Sequence, residues 1–191
     1  MILSPDNEFK SVTLCFTGHR PHKLPQGRTE QNILKSLLYR KIDEYIKMGY
    51  RYFITGCAAG IDTWAASIVT EFSRENPEVR LVCAMPFRDS VKALRGEWLW
   101  NMNNALETAY ETDYVSEERE RSCYRRRNEA MVNASSALIA VACEKASGAG
   151  QTIRYAYSRG LRISVIDSSL GSKGTDYFLG KTAKRKAEFP R

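Results

Sequence analysis

The stretch ITGCAAGIDTWAA (residues 54–66) decides the fold. It leaves an apolar run, crosses a small-residue loop bounded by Gly56 and Gly60, and continues with apolar residues at Ile61, Ala65, Ile68, Val69 and Phe72, the spacing of one helix face, until Pro77 stops it. A strand, a glycine turn and a helix in immediate succession form the repeating unit of sheets whose strands run parallel. Outward from this unit the pattern recurs. SVTLCFTG (11–18) is a strand ending at Gly18, and Ile33 to Met48 is a helix stopped by Gly49. VRLVCAMP (79–86) is a third strand, a helix is predicted over about 90–108, and TDYVS (112–116) is a short strand. The helix 122–134 leads into SALIAVAC (136–143), the most apolar strand, and a last helix over about 150–159 precedes RISVID (162–167). Near-continuously apolar strands alternating with helices predict an α/β, Rossmann-like three-layer sandwich around a mostly parallel sheet, with ligands received at the carboxyl ends of the strands.

Composition is consistent with one domain of ordinary soluble character: 191 residues, 43% hydrophobic and 27% charged. The reading is a single domain over 1–170 and a basic C-terminal tail over 171–191. From Gly171 onward Lys173, Lys181, Lys184, Arg185, Lys186 and Arg191 stand against Asp176 and Glu188, so +4 of the net +7 sits there. The longest apolar run, Ala137 to Cys143, is far too short to span a membrane, and the N-terminus lacks the pattern of a secretory signal. Five cysteines without a CxxC suit a reducing compartment, so a cytoplasmic location is expected.

Three strand ends carry small or polar residues and are predicted to share one rim: TGHRPHK (17–23), TGCAAGID (55–62) and SGAGQT (147–152). Glycines at a strand-to-helix turn uncover amide N–H groups, and a helix N-terminus beneath adds about half a positive charge. The first glycine loop reads either as a phosphate cradle or as a tight structural turn, since it has neither GxGxxG spacing nor a P-loop lysine. Asp62 is either a carboxylate favoured by its helix N-terminus or a ribose contact and acid or base. Taking Tyr124 and Met131 as core-facing puts Arg127 and Asn128 on the same inward face. A buried guanidinium needs an internal carboxylate or an anionic guest. His19 and His22 have poor metal spacing and no metal or cofactor is expected. Arg20 and Lys23 either meet anionic substrate groups or belong to a solvated loop. Cys57 is a small buried thiol or the partner of His19. Trp98 and Trp100 are packing or lid residues.

VTLCFTGHR (12–20), ITGCAAGIDTWAA (54–66) and residues 125–167, RRRNEAMVNASSALIAVACEKASGAGQTIRYAYSRGLRISVID, together resemble the SLOG superfamily, which joins the DNA-processing protein DprA to the LOG phosphoribohydrolases; MPF (85–87) and the single-domain layout look closest to its YpsA-like branch. The resemblance spans about residues 11–167. It implies a Rossmann-like fold whose glycine loops hold a nucleotide or nucleotide-derived ligand. Carried across by position, Gly56, Gly60 and Asp62 match the first loop, Arg127 and Asn128 the helix, and Ser147, Gly148, Gly150 and Thr152 the second loop. With Gly18, His19, Arg20 and Cys57 these make the expected site, in a sensor or regulatory module. LOG hydrolases carry PGGxGTxxE, whereas this chain has SGAGQTIRYA, with Arg154 and Tyr155 where the acid would stand. A nucleotide or N-glycosidic hydrolase using Asp62 is therefore the alternative, and DprA-like binding of single-stranded DNA, as a homodimer, a further one.

Overall fold

The computed structural model describes residues 1–4 and 6–179. Within them lie six strands, β1 (Thr13–Gly18), β2 (Tyr52–Thr55), β3 (Arg80–Met85), β4 (Glu111–Tyr114), β5 (Ala137–Val141) and β6 (Arg162–Ile166). The helices are α1 (Arg28–Lys47), α2 (Ile61–Glu75), α3 (Gly96–Thr108), α4 (Cys123–Asn133), α5 (Gly148–Ser158) and α6 (Thr175–Leu179). All strands pair in parallel, in the order β4-β3-β2-β1-β5-β6.

The four inner strands are largely apolar on both faces because both faces are covered, whereas the edge strand β4 (ETDY) is polar and partly exposed. Alternate residues feed two cores: Leu14, Phe16, Phe53, Leu81 and Ile139 pack beneath α1, α2 and α3, while Cys15, Ile54, Val82, Leu138 and Ala140 pack beneath α4, α5 and α6. The expected three layers are present, and the sheet is wholly parallel. Among the described residues no helix is long and apolar enough to cross a membrane.

Local departures from the expectation have local causes. The helix expected over 90–108 is a 3-10 turn (Ser90–Ala93) and then α3, separated by Leu94 and Arg95, whose backbone is extended. Part of the expected tail is helical: α6 buries Phe178 against the second core. Lys181, Lys184, Arg185, Lys186 and Arg191 lie outside the described residues. Trp98 tilts against Trp64, ring centroids 6.0 Å apart, whereas Trp100 is 67% exposed.

The strand order positions the site. From β1 the chain steps outward through β2, β3 and β4, then returns to lay β5 and β6 on the other side. The segment leaving β1 therefore runs to a helix on one face and the segment leaving β5 to a helix on the opposite face. Between these diverging exits a crevice opens at the carboxyl edge of the sheet.

Candidate functional site

A cavity of about 210 Å³ occupies that crevice. Its floor is the end of β1, from Phe16 to His19. Arg20, His22 and Lys23 form one side, Ala58, Ala59 and Asp62 a second, Tyr124, Arg127 and Asn128 of α4 a third, and Ser147, Gly148 and Ala149 at the start of α5 the fourth. The three strand ends expected to share a rim do share it.

At its back stands an ion pair that crosses the sheet edge. Arg127 comes from α4 on one face and Asp62 from the first turn of α2 on the other; Nη1 donates to Asp62 Oδ2 at 3.3 Å. Arg127 is 4% exposed and Asp62 8%. This is the only hydrogen bond of the guanidinium among the described residues, and its buried Nε has no partner. Of the two readings for Arg127, internal pairing and lining a pocket, the structure shows both at once. One long contact does not saturate five N–H donors, so the group keeps capacity for an anion.

The second cationic element is the start of α5. The first amides of a helix lack intrahelical acceptors. Ser147 Oγ accepts from Gly150 N–H at 3.0 Å, which leaves the amides of Gly148 and Ala149, both in the cavity wall. Asn128 Nδ2 donates to Thr152 Oγ1 at 3.1 Å, and that hydroxyl donates to the Gly148 carbonyl at 3.0 Å, so a side-chain relay fixes this turn. Asn128 thus joins α4 directly to the second glycine loop.

The glycines divide sharply. A Cβ on Gly56 would lie 1.3 Å from Arg127 Nη1, one on Gly60 2.4 Å from the His19 carbonyl, one on Gly150 2.2 Å from the Lys145 carbonyl, and one on Gly18 2.4 Å from Ile61 Cβ. These four make room for neighbouring protein atoms. A Cβ on Gly148 would meet nothing within 4 Å. Gly56, Cys57 and Gly60, expected to cradle a ligand, and Gly150 are not among the residues that line the cavity; Arg127 fills the space before Gly56, and backbone carbonyls the space before Gly60 and Gly150.

Cys57 does not pair with His19. It adopts φ +57° and is buried, its Sγ 3.8 Å from the Thr55 carbonyl. The adjacent Cys83 thiol, together with burial, raises its pKa well above the ordinary thiol value, so it stays protonated and is a poor nucleophile. His19 Nε2 accepts from the Cys143 backbone N–H at 3.0 Å. An amide cannot accept, so this imidazole is neutral with its proton on Nδ1. Burial lowers its pKa, opposed by the charge of Glu144. A histidine whose folded pKa is depressed binds its proton more readily when unfolded, so its stabilising contribution is complete above the unfolded value of 6.5 and is lost as pH falls below it. We expect stability to drop between pH 7.5 and 5.5 by about 1 kcal/mol more than in His19→Gln, whose amide oxygen can accept the same bond without titrating. Thermal melts of both proteins at the two pH values check this, and parallel losses would refute it.

Two placements differ from the sequence reading. Tyr124 is 38% exposed and stands on the cavity rim, although its neighbour Cys123 and, further along α4, Arg127 and Met131 are buried. The Arg20 guanidinium lies 6.0 Å from its ring centroid. Lys23, a candidate to meet anions, bonds Glu144 at 2.6 Å across the mouth. The spacing of Tyr124 three residues before Arg127 was the available signal for a shared face, but not for its facing a crevice. Among the described residues no cluster of His, Cys, Asp or Glu could hold a metal.

Comparison with known proteins places this geometry. The chain is 30% identical over 90 residues to a UPF0398 protein of Ligilactobacillus salivarius, covering 46% of this chain and 47% of that protein. It is 25% identical over 149 residues to a UPF0398 protein of Bacillus cereus, covering 73% and 79%. The alignment thus spans about half the length of the Ligilactobacillus relative. Among solved structures, DprA of Streptococcus pneumoniae superposes with a TM-score of 0.60 at 15% identity, over 94% of this chain and 58% of that one. DprA of Helicobacter pylori, whose structure concerns its single-stranded DNA binding mode, superposes with a TM-score of 0.55 at 15% identity, over 85% and 69%. These likenesses are of fold. The YpsA family model matches residues 14–163, most of the chain, and with the sheet order and crevice described above the chain belongs to the YspA SLOG family.

Proposed function

We propose that this protein binds a nucleotide or nucleotide-derived ligand in the crevice between β1 and β5, acting as a sensor or regulatory module in the cytoplasm. The observation that carries the reading is the buried, under-bonded Arg127 guanidinium facing a cavity whose opposite wall is the N-terminal turn of α5. A phosphate there would complete the donors of Arg127 and accept from the Gly148 and Ala149 amides. Arg20 lines the same mouth and favours an anion, while the charge of Lys23 is met by Glu144. In this reading Asp62 positions Arg127 and performs no proton transfer. The hydrolase alternative would have Asp62, which also lines the cavity, act on a substrate while its Oδ2 accepts from the guanidinium.

Gly148→Ala tests the reading. Its Cβ meets no protein atom, so the melting temperature holds, while the methyl group intrudes where the ligand approaches. Binding of AMP, CMP, GMP and UMP by isothermal titration calorimetry is expected for the unaltered protein, weakened about tenfold by the substitution, equivalent to about 1.4 kcal/mol. No heat from any of the four at millimolar concentration refutes it.

A second reading, single-stranded DNA along the same rim, is favoured by the likeness to DprA and by the exposed basic residues Arg121 and Arg125 beside the crevice. It requires affinity to fall steeply with salt, because each neutralised phosphate releases counterions. Homodimerisation belongs with this second reading.

A further inference from the structure

The crevice has a neighbour. A second cavity of about 300 Å³ lies between α4 and α5, bounded by Arg121, Arg125, Gln151, Thr152 and Tyr155, and it shares Tyr124, Asn128 and Gly148 with the first. Resting on the reading above, we propose that the two are halves of one site for a two-unit ligand, two nucleosides joined through phosphate, with the bridging phosphate over the first turn of α5 and one nucleoside in each half.

Four observations converge on this. The shared wall is the anion-seeking part of the site: Gly148 belongs to both cavities, its Cβ position opens on empty space, and its amide is left over by the Ser147 cap. Across the first cavity from it stands Arg127, whose buried Nε has no partner. Tyr124 stands on the ridge between the halves, held upright by Phe87 at 6.2 Å and 87°. A half-exposed ring in that position is a stacking platform for a base, and stacking tolerates any base. The second half also carries unengaged polar groups, since the side chains of Arg121 and Gln151 make no hydrogen bond among the described residues. Finally, at about 210 Å³ the first cavity alone falls short of the roughly 300–1,000 Å³ usual for small-molecule sites, while its neighbour, at about 300 Å³, stands at the lower end of that range.

Calorimetry on the full chain with AMP, the dinucleotide ApA and the pentanucleotide of adenosine, repeated with the uridine series, tests the proposal. The dinucleotide is expected to bind about tenfold tighter than the mononucleotide. Gln151→Trp, which fills the second half from an exposed helix position, and Arg121→Ala, which only removes a free cation, are both expected to bring that ratio toward one. A dinucleotide no tighter than the mononucleotide overturns the proposal and leaves the single-nucleotide reading standing. Binding of neither removes both. A further rise from dinucleotide to pentanucleotide overturns it in favour of an open strand track.

Discussion

Arg127→Met is expected to lower the unfolding free energy by about 3–5 kcal/mol, the range for removing one partner of a buried ion pair. The large effect comes from what is left behind. Methionine fills most of the arginine volume, so little packing is lost. Asp62, however, is 8% exposed, and Arg127 is the one cation bonded to its carboxylate among the described residues. Adding Asp62→Asn removes the stranded charge, so the double variant is expected to regain more than half of the loss. Denaturant titration of the single and double variants gives the coupling energy directly. A single variant within 1 kcal/mol of the unaltered protein would show that this pair carries no such burden. Both variants are expected to lose nucleotide binding, so stability and binding separate: the double variant is restored in one and not in the other.

Gly60→Ala should cost about 3 kcal/mol or more, from two causes that add. The residue sits at φ +99° and ψ −130°, a region essentially confined to glycine, and its Cβ would lie 2.4 Å from the His19 carbonyl oxygen. That oxygen cannot retreat freely, since it accepts from the Ile61 amide and the segment carrying it is anchored through His19 to Val141 and Cys143. Gly160→Ala supplies an internal control. It too has positive φ, +77°, but nothing within 4 Å, so it should lose only about 1 kcal/mol. Equal losses at the two sites would refute the role assigned to close approach.

The fold was legible because the inner strands of the sheet are short, largely apolar runs and the long helices repeat apolar residues at their own period, whereas the edge strand β4 (ETDY) carries little apolar signal. Boundaries shifted where the backbone departs locally from the pattern, as the extended Leu94 and Arg95 do in dividing the 90–108 segment. The site was legible at the level of which loops meet and less so at the level of which atoms face the cavity. Arg127 and Asn128 were found from an inward-facing polar pair on a helix. The role of Gly56 was not visible, because a glycine that admits a ligand and one that admits an arginine look alike in sequence; only the 1.3 Å approach of Nη1 distinguishes them. Tyr124 shows the converse limit. Helical spacing gives a common face for it and Arg127, but not which of the two stays exposed on the cavity rim.

The crossing of Arg127 over Gly56 has one more consequence, for substitution at that position. What can stand at 56 is decided by the residue at 127: any side chain there must first displace a guanidinium, and a chain that had lost the arginine would be released from the prohibition. The glycine is therefore not a property of its own loop but a vacancy kept by a distant helix, and the two positions hold a single character between them.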